Sequence, residues 1–177
     1  LISLNLSIRD SLLTPLGKFI INFMNNSLNL SSHRKEEPEK NVLYVVSTPI
    51  GNLEDISIRA INILKKVSLI ACEDTRITGR LLNNYKISNK IISFHKYNFK
   101  EKIPYLIAKL KDGASIALVS DAGTPLISDP GELLVSEIKK SSLDVIAIPG
   151  ACAALSALVS SGLPASKFSF YGFLPRK

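Results

Sequence analysis

Ser120-Asp121-Ala122-Gly123-Thr124-Pro125-Leu126-Ile127-Ser128-Asp129-Pro130-Gly131 lies between an apolar run, Ser115-Ile116-Ala117-Leu118-Val119, and a helical pattern from Glu132 to Lys140. A strand therefore empties into a loop that holds two Gly, two Pro and two Asp, and a helix collects the chain afterwards. Ligands of open α/β sheets settle in crevices at the carboxyl ends of the strands. Gly lets a backbone approach a ligand closely, and Pro holds a loop in shape with little entropy left to lose. The plainer reading is a connection whose Pro-Gly merely starts a helix. The length and composition of this loop favour a ligand cradle.

Two further loops are of the same kind. Leu43-Tyr44-Val45-Val46-Ser47 runs into Thr48-Pro49-Ile50-Gly51-Asn52, and Asp144-Val145-Ile146-Ala147-Ile148 runs into Pro149-Gly150-Ala151-Cys152-Ala153. Parallel strands place their carboxyl ends on one edge, so the three loops can converge on one ligand. From Asn41 onward strand and helix patterns alternate. The strands are expected at Val42–Ser47, Ser68–Cys72, Ile91–Phe94, Ser115–Ser120 and Asp144–Ile148. The helices are expected at Ser57–Val67, Thr75–Tyr85, Lys100–Lys111, Pro130–Lys140 and Ala151–Ser160. Ile58, Ile61, Leu64 and Val67 recur at helical spacing, as do Ile103, Leu106, Ile107 and Leu110. The expected fold class is α/β, an open and mainly parallel sheet with flanking helices. Phe168 to Phe173 alternates like the start of another strand or a linker.

The 177 residues, 46% apolar, suffice for one domain-sized core and are short for two. Twenty-two basic against 15 acidic residues give a net charge of +7, which favours a polyanionic or otherwise acidic partner. Cys72 and Cys152 sit in apolar surroundings and fit buried thiols of a reducing compartment better than a disulfide or a metal site, and no metal is expected. No apolar run approaches the roughly 18 residues of a membrane span. Residues 1–40 differ from the rest. They are rich in Ser, Asn and Leu, close on the polar run Ser31 to Lys40, and read as a disordered or targeting-like extension. Localisation is accordingly expected in the cytoplasm, or in an organelle if this extension is a transit peptide.

Val45 to Lys177 resembles the ribosomal RNA small-subunit methyltransferase I family within the tetrapyrrole methylase superfamily. The resemblance rests on Ser47-Thr48-Pro49-Ile50-Gly51-Asn52-Leu53-Glu54-Asp55, Ala71-Cys72-Glu73-Asp74-Thr75-Arg76, the Ser120–Gly131 loop, Pro149-Gly150-Ala151 and Gly172-Phe173-Leu174-Pro175-Arg176-Lys177. It implies the N-terminal α/β domain, residues 41–165, of an S-adenosylmethionine-dependent enzyme that methylates the ribose 2′-hydroxyl of a cytidine in small-subunit ribosomal RNA. By the same resemblance, 166–177 begin a linker to a second domain, the cofactor lies between the two domains, and the protein forms a homodimer.

For the cofactor, the resemblance implies Pro49, Ile50, Gly51, Asp121, Ala122, Gly123, Thr124, Pro125, Pro149, Gly150 and Ala151. Neither a Gly-x-Gly-x-x-Gly fingerprint nor a phosphate loop occurs, so a kinase or dehydrogenase has no support. Glu73, Asp74 and Arg76 are the catalytic candidates. Arg76 could hold a phosphate while a carboxylate orients the hydroxyl. The bland reading of the same residues is helix capping by Asp74 or Thr75. Tyr85 to Lys102 interleaves basic and aromatic residues, the pattern that holds looped RNA through phosphates and stacking. Arg76, His95, Lys96 and Lys100 are the substrate-RNA candidates, whereas Phe94, at a strand position, reads as core. Two rival readings remain open: a precorrin-type tetrapyrrole methyltransferase, and a truncated, inactive RNA-binding domain.

Overall fold

Residues 37–129 and 131–172 are described by the structure, a computed structural model. Most of the expected N-terminal extension, Pro130 and the 173–177 part of the last motif lie outside the described residues. Among the described residues five strands, β1 (Val42–Val46), β2 (Leu69–Cys72), β3 (Ile91–Ser93), β4 (Ile116–Val119) and β5 (Asp144–Ile148), alternate with five helices. The helices are α1 (Ile58–Lys66), α2 (Thr75–Asn84), α3 (Phe99–Lys111), α4 (Glu132–Lys140) and α5 (Ala153–Ser160), and a single 3-10 turn spans Leu53–Asp55. All strands pair in parallel in the order β3-β2-β4-β1-β5. Tyr44 of β1 stands between Ala117 of β4 and Ile146 of β5.

Side chains alternate across a strand, so each central strand feeds two apolar layers. Tyr44 and Val46 of β1, Ile70 and Cys72 of β2, and Ala117 and Val119 of β4 pack with Ala60, Ile63 and Leu64 of α1 and Leu82 of α2. Leu43, Val45, Leu69, Ala71, Ile116 and Leu118 face the other way, onto Ile103, Leu106 and Leu110 of α3 and Leu134 and Ile138 of α4. Each Leu or Ile so buried contributes about 1.5–3 kcal/mol relative to exposure, which is what fixes the helices to their faces. Ser57 begins α1, its Oγ accepting the Ala60 N–H at 3.0 Å. Lys65 and Lys66 complement the dipole at its other end.

α4 and α5 begin two residues later than their patterns suggest, at Glu132 and Ala153. Before α5, Cys152 is still extended (φ −141°, ψ 112°), so the Gly150–Cys152 stretch belongs to the loop. Phe168 to Gly172 joins no strand, and Phe168, Phe170 and Tyr171 are exposed. β5 is an edge strand with Asp144 and Ala147 exposed. Two neighbours near the centre of the sheet, β1 and β4, send the chain to opposite faces, one toward α1 and the other toward α4. A crevice opens between loops that part in this way.

Candidate functional site

Three loops meet at the carboxyl edge of the sheet, and hydrogen bonds join them. The Thr48 N–H donates to the Gly123 carbonyl at 2.9 Å, and the Gly123 N–H returns to the Thr48 carbonyl at 3.1 Å. Thr48 Oγ1 also donates to the Ser120 carbonyl at 3.2 Å. Ser47 and Thr124 share a hydroxyl–hydroxyl bond of 2.9 Å, and Thr124 Oγ1 reaches the Ala151 carbonyl at 3.4 Å. The loops after β1, β4 and β5 thus form one unit. Gly123 sits at φ +83°, where L side chains are strained, and Gly150 lies so close to β1 that a Cβ would come 2.7 Å from that of Ser47.

These loops line two cavities that share Ile50 and Cys152. One, of ≈ 250 Å³, is bounded by Ala122, Gly123, Thr124, Ile127 and Asp129. The other, of ≈ 430 Å³, is bounded by Gly150, Ala151, Leu155 and Val159. Of the residues expected to touch a cofactor, Ile50, Ala122, Gly123, Thr124, Gly150 and Ala151 come together here. Pro49, Gly51 and Asp121 instead line a third cavity, of ≈ 410 Å³, toward α2. Pro125 and Pro149 shape the loops without lining any of the three.

Asp121 also links the β4 loop to the next strand: its Oδ1 accepts the Asp74 N–H at 3.2 Å. Asp74 caps α2, taking the Arg76 backbone N–H at 2.8 Å, and grips the Arg76 guanidinium through both oxygens, at 3.1 and 2.6 Å. The hydrogen bonds from Arg76 hold the Asp74 carboxyl well below the usual carboxylate range. Glu73 shifts the other way. Burial raises its pKa first, the charges of Asp121 and Asp129 raise it further, and His95 and Lys96 pull it partly back. Asp129 is likewise raised by burial and by Asp121, against a hydrogen bond from Ser120. Glu73, Asp121 and Asp129 therefore form one interacting acidic group contributed by two strand ends.

His95 and Lys96 line a cavity of ≈ 230 Å³ with Phe94, Phe99, Asp129 and Glu132. Asp129 borders both this cavity and that of Gly123. The Tyr97 N–H donates to His95 Nδ1 at 3.3 Å. Lys96 Nζ stands 5.0 Å from the centroid of the Tyr97 ring, and that ring is 83% exposed, open to a stacking partner. Phe94 is buried, as its strand position suggests. Lys100 is exposed on the first turn of α3 and lines no cavity with His95. Sequence reasoning gave no role to Asp129, Arg80 or Asn84. Arg80 and Asn84 follow Arg76 at successive steps of four, a helical signal that was available.

Residues 42–174 match the family model for tetrapyrrole (corrin/porphyrin) methylases, and the chain belongs to that family. Within it, the chain is 54% identical over 136 residues to the ribosomal RNA small subunit methyltransferase I of Vibrio cholerae, covering 77% of this chain and 47% of that one. It is 47% identical over 148 residues to the protein of the same name from Escherichia coli O157:H7, covering 84% and 52%. The chain spans about half the length of the curated relatives it matches. Among solved structures, the uroporphyrin-III-C-methyltransferase of Thermus thermophilus superposes with a TM-score of 0.55 at 19% identity, covering 72% of this chain and 55% of that one. A diphthine synthase superposes with a TM-score of 0.58 at 16% identity, covering 72% and 51%. These two share the fold.

Proposed function

We propose that this chain is the cofactor-binding part of an S-adenosylmethionine-dependent enzyme that methylates the ribose 2′-hydroxyl of a cytidine in small-subunit ribosomal RNA. The observation that carries the proposal is the joined crevice at the ends of β1, β4 and β5, in a chain about half identical to proteins named for that substrate. The crevice suits this cofactor chemically. It offers backbone at Gly123, Gly150 and Ala151, hydroxyl oxygen at Thr124 and apolar walls at Ile50 and Ile127, and among the described residues no Lys or Arg lines it for a phosphate the cofactor lacks. When bound, S-adenosylmethionine supplies an electrophilic methyl group on a sulfonium. The protein's own work is alignment of the acceptor oxygen and removal of its proton.

Asp74 has both oxygens engaged by Arg76, so its part is to cap α2 and orient the guanidinium. Glu73 and Asp129 both have a raised proton affinity, and Glu73, beside the Asp74–Arg76 pair, is the carboxylate we assign to take the hydroxyl proton onto a carboxylate oxygen. His95, Lys96 and Lys100 hold the RNA backbone, and Tyr97 offers a stacking face. The partner is then the small ribosomal subunit, and the compartment the cytoplasm. Leu163 and Phe168, exposed beyond α5 and lining none of the cavities above, support an apolar interface of the kind a homodimer needs. Among the described residues no helix is long and apolar enough to cross a membrane.

The test is methyl transfer. Small subunits lacking the modification, incubated with the full-length protein and methyl-labelled cofactor, should acquire label on a ribose oxygen of a cytidine. Label on a precorrin-type tetrapyrrole and never on RNA would replace the RNA reading. Cofactor binding without transfer to either substrate would remove Glu73 from its role.

A further inference from the structure

The ≈ 410 Å³ cavity beside α2 takes Pro49, Gly51 and Asp121 away from the crevice described above, and its other walls have no role there. Ile77, Arg80, Leu81 and Asn84 follow at i, i+3, i+4 and i+7, so one face of α2 lines it. Leu53, from the turn after β1, lines it too. Leu53 and Ile77 are 44% and 40% exposed, an apolar slot left open to solvent. This cavity shares no lining residue with those bounded by Gly123 and Ala151, and its volume is within the range of small-molecule sites.

We propose that this slot is a nucleotide subsite for the RNA, resting on the RNA reading above: a base flanking the methylated residue lies between Leu53 and Ile77–Leu81, Asn84 reads its edge, and Arg80 holds its phosphate. An amide side chain can donate to and accept from a base edge, and a guanidinium matches a phosphate. Arg76 is already paired with Asp74, whereas Arg80 forms no ion pair among the described residues. Glu54 and Asp55 act on Tyr85, at the C-terminal end of α2. The phosphate therefore approaches beside Arg80, in the middle of α2, rather than over the end of the helix that Glu54 and Asp55 make negative. The adenosine of S-adenosylmethionine also has a base but no phosphate, so an unpaired arginine on the rim fits RNA better.

The chain itself can be tested, with its Ile and Leu methyl groups isotopically labelled for NMR. Cytidine and adenosine 5′-monophosphates and a short single-stranded RNA should shift the methyl signals of Leu53, Ile77 and Leu81 saturably, and S-adenosylhomocysteine should not. Arg80→Ala should weaken RNA binding roughly tenfold, the scale of one lost charged hydrogen bond. It should also flatten the salt slope by about 0.7. Asn84→Ala should weaken binding roughly threefold. Both side chains are exposed, so the fold survives either change. RNA shifts confined to Phe94–Lys100 would overturn the subsite and leave the RNA reading standing. Shifts of the three methyl groups by S-adenosylhomocysteine would make the slot the cofactor's instead. Absence of RNA binding at millimolar concentration would overturn the RNA reading and this inference together.

Discussion

Replacing Gly150 by Ala probes the joint on which the crevice depends. A Cβ at this position would stand 2.7 Å from Ser47 Cβ and 3.4 Å from the Ser47 carbonyl oxygen. Carbon atoms pack best at about 3.5–4.0 Å, so the β1 end or the β5 loop must move by roughly 1 Å. Ser47 is buried, with its N–H on the Ile148 carbonyl at 3.3 Å and its hydroxyl on Thr124 at 2.9 Å, so it cannot move without weakening both bonds. Overpacking costs about 1–3 kcal/mol and a lost hydrogen bond about 0.5–1.5, against a gain of about 0.4–1 from the stiffer unfolded chain. The net loss, about 0.5–4 kcal/mol and centred near 2, corresponds to a fall in Tm of roughly 1–16 °C for a chain of this size. Gly79→Ala is the comparison. Its Cβ would meet only Ile91 Cδ1, at an ordinary 3.9 Å, inside α2. That variant should gain about 0.5–1 kcal/mol. Urea and thermal unfolding of both variants decide the matter. A Gly150→Ala protein as stable as the parent would refute the close approach of the β1 and β5 loops.

Gly123→Val should abolish binding of S-adenosylhomocysteine by calorimetry, because a β-branched side chain is strained at φ +83° and would project beside Ile50 and Ala151; parent-like affinity would make the loop a mere connector. Glu73→Gln should raise Tm at neutral pH. A carboxyl whose folded pKa is raised above its unfolded value destabilises the fold once pH exceeds both values, so the gain should shrink as pH falls below the ordinary glutamate range, and a gain independent of pH would contradict this. Replacing Lys96 and Lys100 together by Ala should weaken RNA binding, flatten its salt slope by about 1.4 for two contacts, and leave cofactor affinity unchanged, as read by titrations at several salt concentrations.

The order of elements was legible because each strand is a short apolar run and each helix carries apolar residues at 3.6-residue spacing. Phe94, read as core from its strand position, is 2% exposed. The loops were legible because Gly, Pro and Asp gather after three of the strands. Strand order was not, since nothing in the runs themselves says that β4 inserts between β2 and β1. That insertion brings Asp121 to the Asp74 N–H and Asp129 into the field of Glu73, pairings between loops far apart in sequence. The start of α5 was misplaced because the alanines of Ala151-Cys152-Ala153-Ala154 favour a helix locally, while the chain at Cys152 is still extended after the close approach of Gly150 to Ser47. Arg80 and Asn84 were overlooked because a polar helix face acquires meaning only from what stands opposite, here Leu53.

The proposed function requires that one crevice, formed by the ends of β1, β4 and β5, hold the cofactor. Amide hydrogen exchange with and without saturating S-adenosylhomocysteine tests it most directly. The ligand should slow exchange in Ile50–Gly51, Ala122–Thr124 and Gly150–Ala151 together, and leave α3 unchanged. Protection confined to a single loop, or centred on Phe99–Lys111, would contradict a shared crevice.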